Sequence, residues 1–351
     1  VDSITGLQVP VANGITPGSG PGHLALFGYD PLKYRVGRGV LSALGIGLEP
    51  RSSDVAVRGN FCTIDAEGNV ADRRAGRIDT EMNRGLCEKL RGIELPGVEL
   101  TVRTVKEHRF VLIFRGEGLS ADLDDTDPQQ TGVPPRAARE RSAKAHSTAE
   151  LVDTFLHRAR SLLADSHPAN MVLLRGFAQL PDWPRFPDVF GLRAAALAAY
   201  PMYRGLARML GMDILETPSS PQEEIARMEE NYDDFDFFFV HAKATDSAGE
   251  DGAFDRKVSA IEQVDELIPR IQALRPDVLV VTGDHSTPSL LRYHSWHPVP
   301  VLLYSPHCRA DPVRMFGERA CLAGGLGPRL PAVDLMPLAL ANAFRLAKFG
   351  A

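Results

Sequence analysis

The chain has 351 residues, more than a single hydrophobic core usually supports, so two domains or one domain with an insertion is the starting expectation. Its 45 acidic residues against 39 basic ones give a formal charge of −6, without the basic footprint of a nucleic-acid binder. Four scattered cysteines with no CxxC pair, no apolar run near the ~20 residues of a membrane span and no leader-like opening point to a cytoplasmic protein with reduced thiols and no membrane partner.

In chain order, the first feature is ITPGSGPGHLALFGYDP (residues 15–31), which sets Ser19 between glycines and follows it with His23 and an apolar helical start. Backbone N–H groups at a helix N-terminus face an arriving anion, so Ser19 there can act as a nucleophile toward a phosphoryl group. On composition alone the same stretch reads as a surface turn. Strands are expected at VAVRGNFCTI (55–64) and HRFVLIFRG (108–116). Between them DRRAGRI (72–78) supplies Arg73, Arg74 and Arg77, whose planar forks suit carboxylate or phosphate. LSADLDDTDPQQTGVPPRA (119–137) reads as a loop, and residues 147–165 as a helix opened by a Ser147/Glu150 capping box.

Further on, MVLLRG (171–176), LRAAALAA (192–199), FDFFFVHAK (235–243), VLVVTG (278–283) and PVPVLLYS (298–305) read as strands of a largely parallel sheet. Helices are expected over 205–212, just after Arg204, and over 256–274, where Val258, Ile261, Val264, Leu267, Ile268 and Ile271 share one stripe. Open α/β sheets present ligands at the carboxyl ends of their strands. Asp246 follows one strand, Asp284 and His285 end another, and His294 comes nine residues later. This mix of oxygen and imidazole donors suits Mn²⁺ or Zn²⁺ and can be split between two ions.

Taken together, PGSGPGHLALFGYDPLKYRVGRG, RGNFCTID, DRRAGRI, EHRFVLIFRGEGLS, MVLLRG, YRGLARMLGMD, HAKATDSAG, TGDHSTPSLLRYHS and HPVPVLLYS resemble, in order, the blocks of the archaeal-type cofactor-independent phosphoglycerate mutases, a branch of the alkaline phosphatase superfamily. The resemblance covers almost the whole chain. It implies an α/β fold: an alkaline-phosphatase-like core with a mostly parallel sheet and a smaller inserted α/β domain. Residues 1–50 and 188–351 would build the metal-binding core and 51–187 the substrate-binding insert. It implies interconversion of 3-phosphoglycerate and 2-phosphoglycerate through a phosphorylated Ser19, with two divalent metal ions, Mn²⁺ ahead of Mg²⁺, Zn²⁺ or Co²⁺. Ser19, Asp284 and His285 would hold one ion, and Asp246 and His294 the other. Arg73, Arg74, Arg77, Arg204 and His23 would bind the substrate. An oligomer is compatible with all of this.

Two departures stand out. Where the family has a histidine ligand after the TD pair, this chain has Glu250, four residues from Asp246 and one helical turn away. The family's apolar first strand ending in Asp-Gly has no counterpart before Ser19. These departures support the alternative of a non-catalytic relative that binds phosphorylated ligands, and a metal-dependent phosphatase is the rival reading among enzymes.

Overall fold

The computed structural model describes residues 3–216, 220–348 and 350. Its strands are β1 (Ser3–Val9), β2 (Val55–Ile64), β3 (Val70–Asp72), β4 (Glu99–Lys106), β5 (Arg109–Arg115), β6 (Met171–Ala178), β7 (Ala194–Ala198), β8 (Asp213–Ile214), β9 (Phe237–His241), β10 (Leu279–Thr282), β11 (Val299–Tyr304) and β12 (Gly327–Pro331). Its α-helices are α1 (Ser19–Leu26), α2 (Arg38–Gly45), α3 (Thr80–Arg91), α4 (His146–Leu163), α5 (Phe186–Phe190), α6 (Pro201–Met209), α7 (Pro221–Glu230), α8 (Ala244–Glu250), α9 (Phe254–Asp265), α10 (Ile268–Ala273), α11 (Glu318–Cys321) and α12 (Leu335–Asn342).

The chain divides into two compact units. Val1–Arg35, Phe186–Ala199 and Leu215–Ala351 form the first, and Val36–Arg185 with Tyr200–Ile214 the second. Residues 36–50 and 200–214, expected in the outer domain, thus belong to the second unit. The reason is packing: α2 and α6 lie against each other, and α2 covers β2 and β6.

In the first unit β10, β11, β1 and β12 form one sheet in that order, and β7 pairs with β9. The sequence predicts a largely parallel sheet. Among the described residues of this unit, β7–β9 and β1–β12 are parallel, whereas β11 runs antiparallel to both β1 and β10. The segment between β10 and β11 contains no crossover helix, and a direct return of the chain gives an antiparallel pair. The expected helix over 256–274 is broken: α9 stops at Asp265 and α10 restarts at Ile268 with Pro269 in its first turn, the position a proline tolerates in a helix. The expected apolar stripe is only partly packed, since Leu267 is buried but Ile261 is 51% exposed.

The second unit is built on an antiparallel sheet in which β2 lies between β5 and β6, with β4 on the far side of β5. Alternation along β2 sends Val55, Val57 and Phe61 to one face, where α3 and α4 close a core with Phe110, Phe114 and Phe155. Ala56, Val111, Ile113 and Ala178 line the opposite face and pack against Val40, Ala43 and Leu44 of α2. Helix α4 begins at His146, and no side chain caps it, so the Ser147/Glu150 box does not form.

Candidate active site

The site in the first unit is assembled from strand ends and one helix start. Ser19 is the first residue of α1, after Gly18 in extended conformation. Two glycines allow the loops to close on each other. A Cβ on Gly22 would stand 2.3 Å from the Asp284 carbonyl oxygen, and one on Gly249 would stand 2.3 Å from that of Thr287. Gly22 therefore lets α1 lie directly on the Asp284 loop, and Gly249 does the same for α8 and the Thr287 loop. Gln8 of β1, fully buried, donates its amide 2.7 Å to the Gly283 carbonyl and anchors the start of that loop.

Ser19 Oγ lies 2.9 Å from His285 Nε2. On the other side of the ring, His285 Nδ1 is 3.0 Å from Thr287 Oγ1, and the Thr287 hydroxyl donates 2.7 Å to Asp246 Oδ1. With its one proton given to Asp246, the Thr287 oxygen accepts from His285 Nδ1–H, which leaves the Nε2 lone pair facing Ser19. Burial pushes His285 below the usual histidine range, keeping it neutral. His294 donates from Nδ1 to the Pro17 carbonyl at 2.9 Å, so its Nε2 also faces inward, 3.7 Å from Asp246 Oδ1. The rings of His285 and His294 stack with centroids 3.7 Å apart.

The carboxylates sit in a strongly polarised corner. Burial alone would raise Asp284, but the His23 imidazole beside it holds its carboxyl well below the ordinary range. Asp284 Oδ2 is 3.1 Å from His23 Nδ1 and 3.2 Å from His285 Nε2, yet meets neither in hydrogen-bonding geometry. Burial likewise opposes the ionisation of Asp246, and the ammonium of Lys243 against it, with the Thr287 hydroxyl, reverses that and lowers it. Asp246, His285 and His294 each offer a donor atom within 4.8 Å of the others. One carboxylate and two imidazoles with Nε2 lone pairs directed inward, beside a buried and unbonded Asp284 oxygen, is a donor set that fits a divalent transition metal.

Ser19, Asp246, Asp284, His285 and His294 thus come together. Glu250 lies at the rim, 3.7 Å from His294 Nε2, with its side chain 52% exposed. His285 joins Asp246 and His294, so the three donors meet across the division into two ligand sets expected from the resemblance. His23, expected to touch substrate, is 2% exposed, donates from Nδ1 to the Ser19 carbonyl at 2.8 Å, and packs against Phe239 and His241. That is a position beneath the serine. Arg73, Arg74, Arg77 and Arg204 belong to the second unit. Arg73 is held by a bidentate pair with the buried Asp127, at 3.0 and 2.7 Å, whereas Arg74 and Arg77 are exposed. Thr287 and Lys243 were not singled out by sequence reasoning. Their only signal is adjacency to the Asp-His and Asp motifs.

A sequence profile described as 2,3-bisphosphoglycerate-independent phosphoglycerate mutase matches residues 1–170. A Thermotoga neapolitana protein curated as a probable 2,3-bisphosphoglycerate-independent phosphoglycerate mutase is 52% identical over 355 residues, spanning 100% of this chain and 87% of that protein. The chain belongs to this mutase family. A Thermus thermophilus protein of the same description is 50% identical with the same coverage. Among solved structures, a Pyrococcus horikoshii protein superposes with a TM-score of 0.82 at 28% identity, over 99% of this chain and 89% of that one. The cofactor-independent phosphoglycerate mutase of Thermoplasma acidophilum gives 0.70 at 29% identity, over 97% and 89%. The mutase is accordingly an isomerase that interconverts 3-phosphoglycerate and 2-phosphoglycerate without 2,3-bisphosphoglycerate, on a mixed α/β fold with several sheets.

Proposed function

We propose that the mutase works through phosphorylation of Ser19 in an alkaline-phosphatase-like unit that holds two divalent ions, Mn²⁺ foremost. The observation that carries this reading is the convergence of Ser19 Oγ, His285 Nε2 and the Asp284 carboxylate at one corner, with Asp246 and His294 beside it. Asp284, His285 and Ser19 would hold one ion, and Asp246 and His294 the other, with Glu250 at the rim as a further donor. Bound divalent ions would lower the pKa of the Ser19 hydroxyl and neutralise the phosphoryl oxygens. Ser19 Oγ forms the new bond to phosphorus as the bond from phosphorus to the substrate oxygen breaks. Ser19 loses a proton and the departing glycerate hydroxyl gains one, so the step is balanced. The reverse step onto the other hydroxyl completes the isomerisation.

Each further residue has a task in this scheme. His23 supports Asp284 from below and holds the start of α1 through the Ser19 carbonyl. Arg74, Arg77 and Arg204 attract the anionic substrate, and Arg73 instead secures Asp127. Ser19→Ala should reduce 2-phosphoglycerate formation at least ~10³-fold and abolish phosphate release with it. Full mutase activity in that variant would overturn the reading, and phosphate release from 3-phosphoglycerate without 2-phosphoglycerate would make the chain a phosphatase.

A further inference from the structure

On the α2-facing side of the second unit's sheet, Ala56 of β2 is followed at the next same-face positions by Arg58 and Asn60. Strand pairing sets Arg58 opposite Arg175 of β6 and Asn60 opposite Arg109 of β5. A polar row therefore continues where the apolar contact with α2 ends. Arg38, Ser42, Arg58, Arg109 and Tyr200 line a small pocket of about 30 Å³ there.

The row carries hydrogen-bonding capacity that the protein does not use. Arg58 Nε, Arg175 Nε and Asn60 Oδ1 are all buried without a hydrogen-bond partner. Arg109 pairs with Glu107, and Arg175 lies within ion-pair distance of Asp125 and Asp127, but no carboxylate among the described residues pairs with Arg58. Burial, with Arg38, Arg175 and Arg109 nearby, pulls the Arg58 guanidinium down to about 9, so it is still charged at neutral pH. A buried cation facing other cations and lacking an anion costs stability, and unmet polar atoms gathered on one sheet face mark a place where a ligand completes the bonding.

The unmet groups also describe the ligand. Two guanidinium N–H donors call for a carboxylate, and an amide oxygen beside them calls for a hydroxyl donor. We infer that Arg58 and Asn60 bind the α-hydroxycarboxylate portion of the substrate, Arg58 holding its carboxylate and Asn60 its hydroxyl. This inference rests on the phosphoserine reading, because a glycerate must be retained while its phosphoryl group is on the enzyme. Arg58, rather than the Asp127-bound Arg73, is then the residue that separates a mutase from a phosphatase.

The test uses the full chain with 3-phosphoglycerate. Arg58→Met should raise KM at least ~10-fold and raise the ratio of phosphate released to 2-phosphoglycerate formed by a similar factor, with Arg58→Lys recovering part of both. Its melting temperature should be unchanged or higher, since a buried unpaired charge has been removed. Asn60→Asp, which supplies a carboxylate of the protein's own beside Arg58, should raise KM in the same way and guards against an unfolded Arg58→Met. An unchanged KM and an unchanged product ratio in both variants would overturn the inference, as would a fall in kcat alone. Failure of the phosphoserine reading shows separately, as retained turnover in Ser19→Ala.

Discussion

The Thr287 hydroxyl donates to Asp246 Oδ1 across 2.7 Å, and this one bond determines how the neighbouring histidine is protonated. Because the Thr287 proton is committed, His285 must be the donor at its Nδ1, and its Nε2 is left as a lone pair toward Ser19. Thr287 reaches Ser19 only through His285, so it is a positioning residue.

Thr287→Val should lower kcat by roughly 10- to 100-fold with little change in KM, because the imidazole loses its orientation while substrate contacts remain. Thr287→Ser, which keeps the hydroxyl, should retain most of the rate. Steady-state kinetics on the three proteins decides the point. A rise in KM with kcat intact would contradict the positioning role.

The placement of Glu250 ranks the acidic residues by their effect on metal binding. Asp246→Asn removes a partly buried charge from the donor cluster and should weaken binding of an ion at least ~10-fold, with activity recovered only at high Mn²⁺. Glu250, half exposed at the rim, should cost less when changed to Ala, and Glu250→His should move preference toward Zn²⁺. Calorimetric titration of chelator-treated protein with Mn²⁺ and Zn²⁺ measures both. Equal losses for Asp246→Asn and Glu250→Ala would contradict the ranking.

Glu224, in the first turn of α7, is 2% exposed, and its carboxyl takes a backbone hydrogen bond from the Ala199 N–H. Burial pushes its carboxyl up to about 8, against 4.5 for the free side chain. The folded protein thus holds the proton more tightly than the unfolded chain does. The associated stability is fully present below about pH 4.5 and is lost as pH rises toward 8. Glu224→Gln keeps the acceptor for Ala199 without the ionisation, and should stabilise the protein by on the order of 2–4 kcal/mol at high pH and hardly at all at low pH. Urea unfolding at about pH 5 and about pH 8.5 provides the comparison. A stabilisation independent of pH would contradict it.

The residues that converge at the site were legible in the sequence because each is a chemically distinctive residue in the turn after an apolar run: Asp246 after FDFFFVHAK, and Asp284-His285 after VLVVT. The serine loop was legible only through its place in the ordered set of motifs, since its glycines alone read as a surface turn, and Gly22 proves to be the point where α1 meets the Asp284 backbone. Thr287 and Arg58 were not. A threonine in a loop has no pattern of its own, and an arginine in an alternating strand reads as the solvent-facing member of the pair. Only the strand register, which sets Arg58 opposite Arg175, reveals that it is buried among other cations. The direction of β11 was hidden for a similar reason. Apolar runs state that a strand exists, while its partner depends on how the loop before it turns back.

The central claim is that Ser19 carries the phosphoryl group between the two hydroxyls. The most direct measurement is to mix the Mn²⁺-loaded mutase with 3-phosphoglycerate labelled in its phosphate, quench in acid within one turnover, and map the labelled peptide. The account predicts label on Ser19, absent from Ser19→Ala and chased off by unlabelled 2-phosphoglycerate. Label on another residue, or turnover at full rate with no labelled protein, would contradict it.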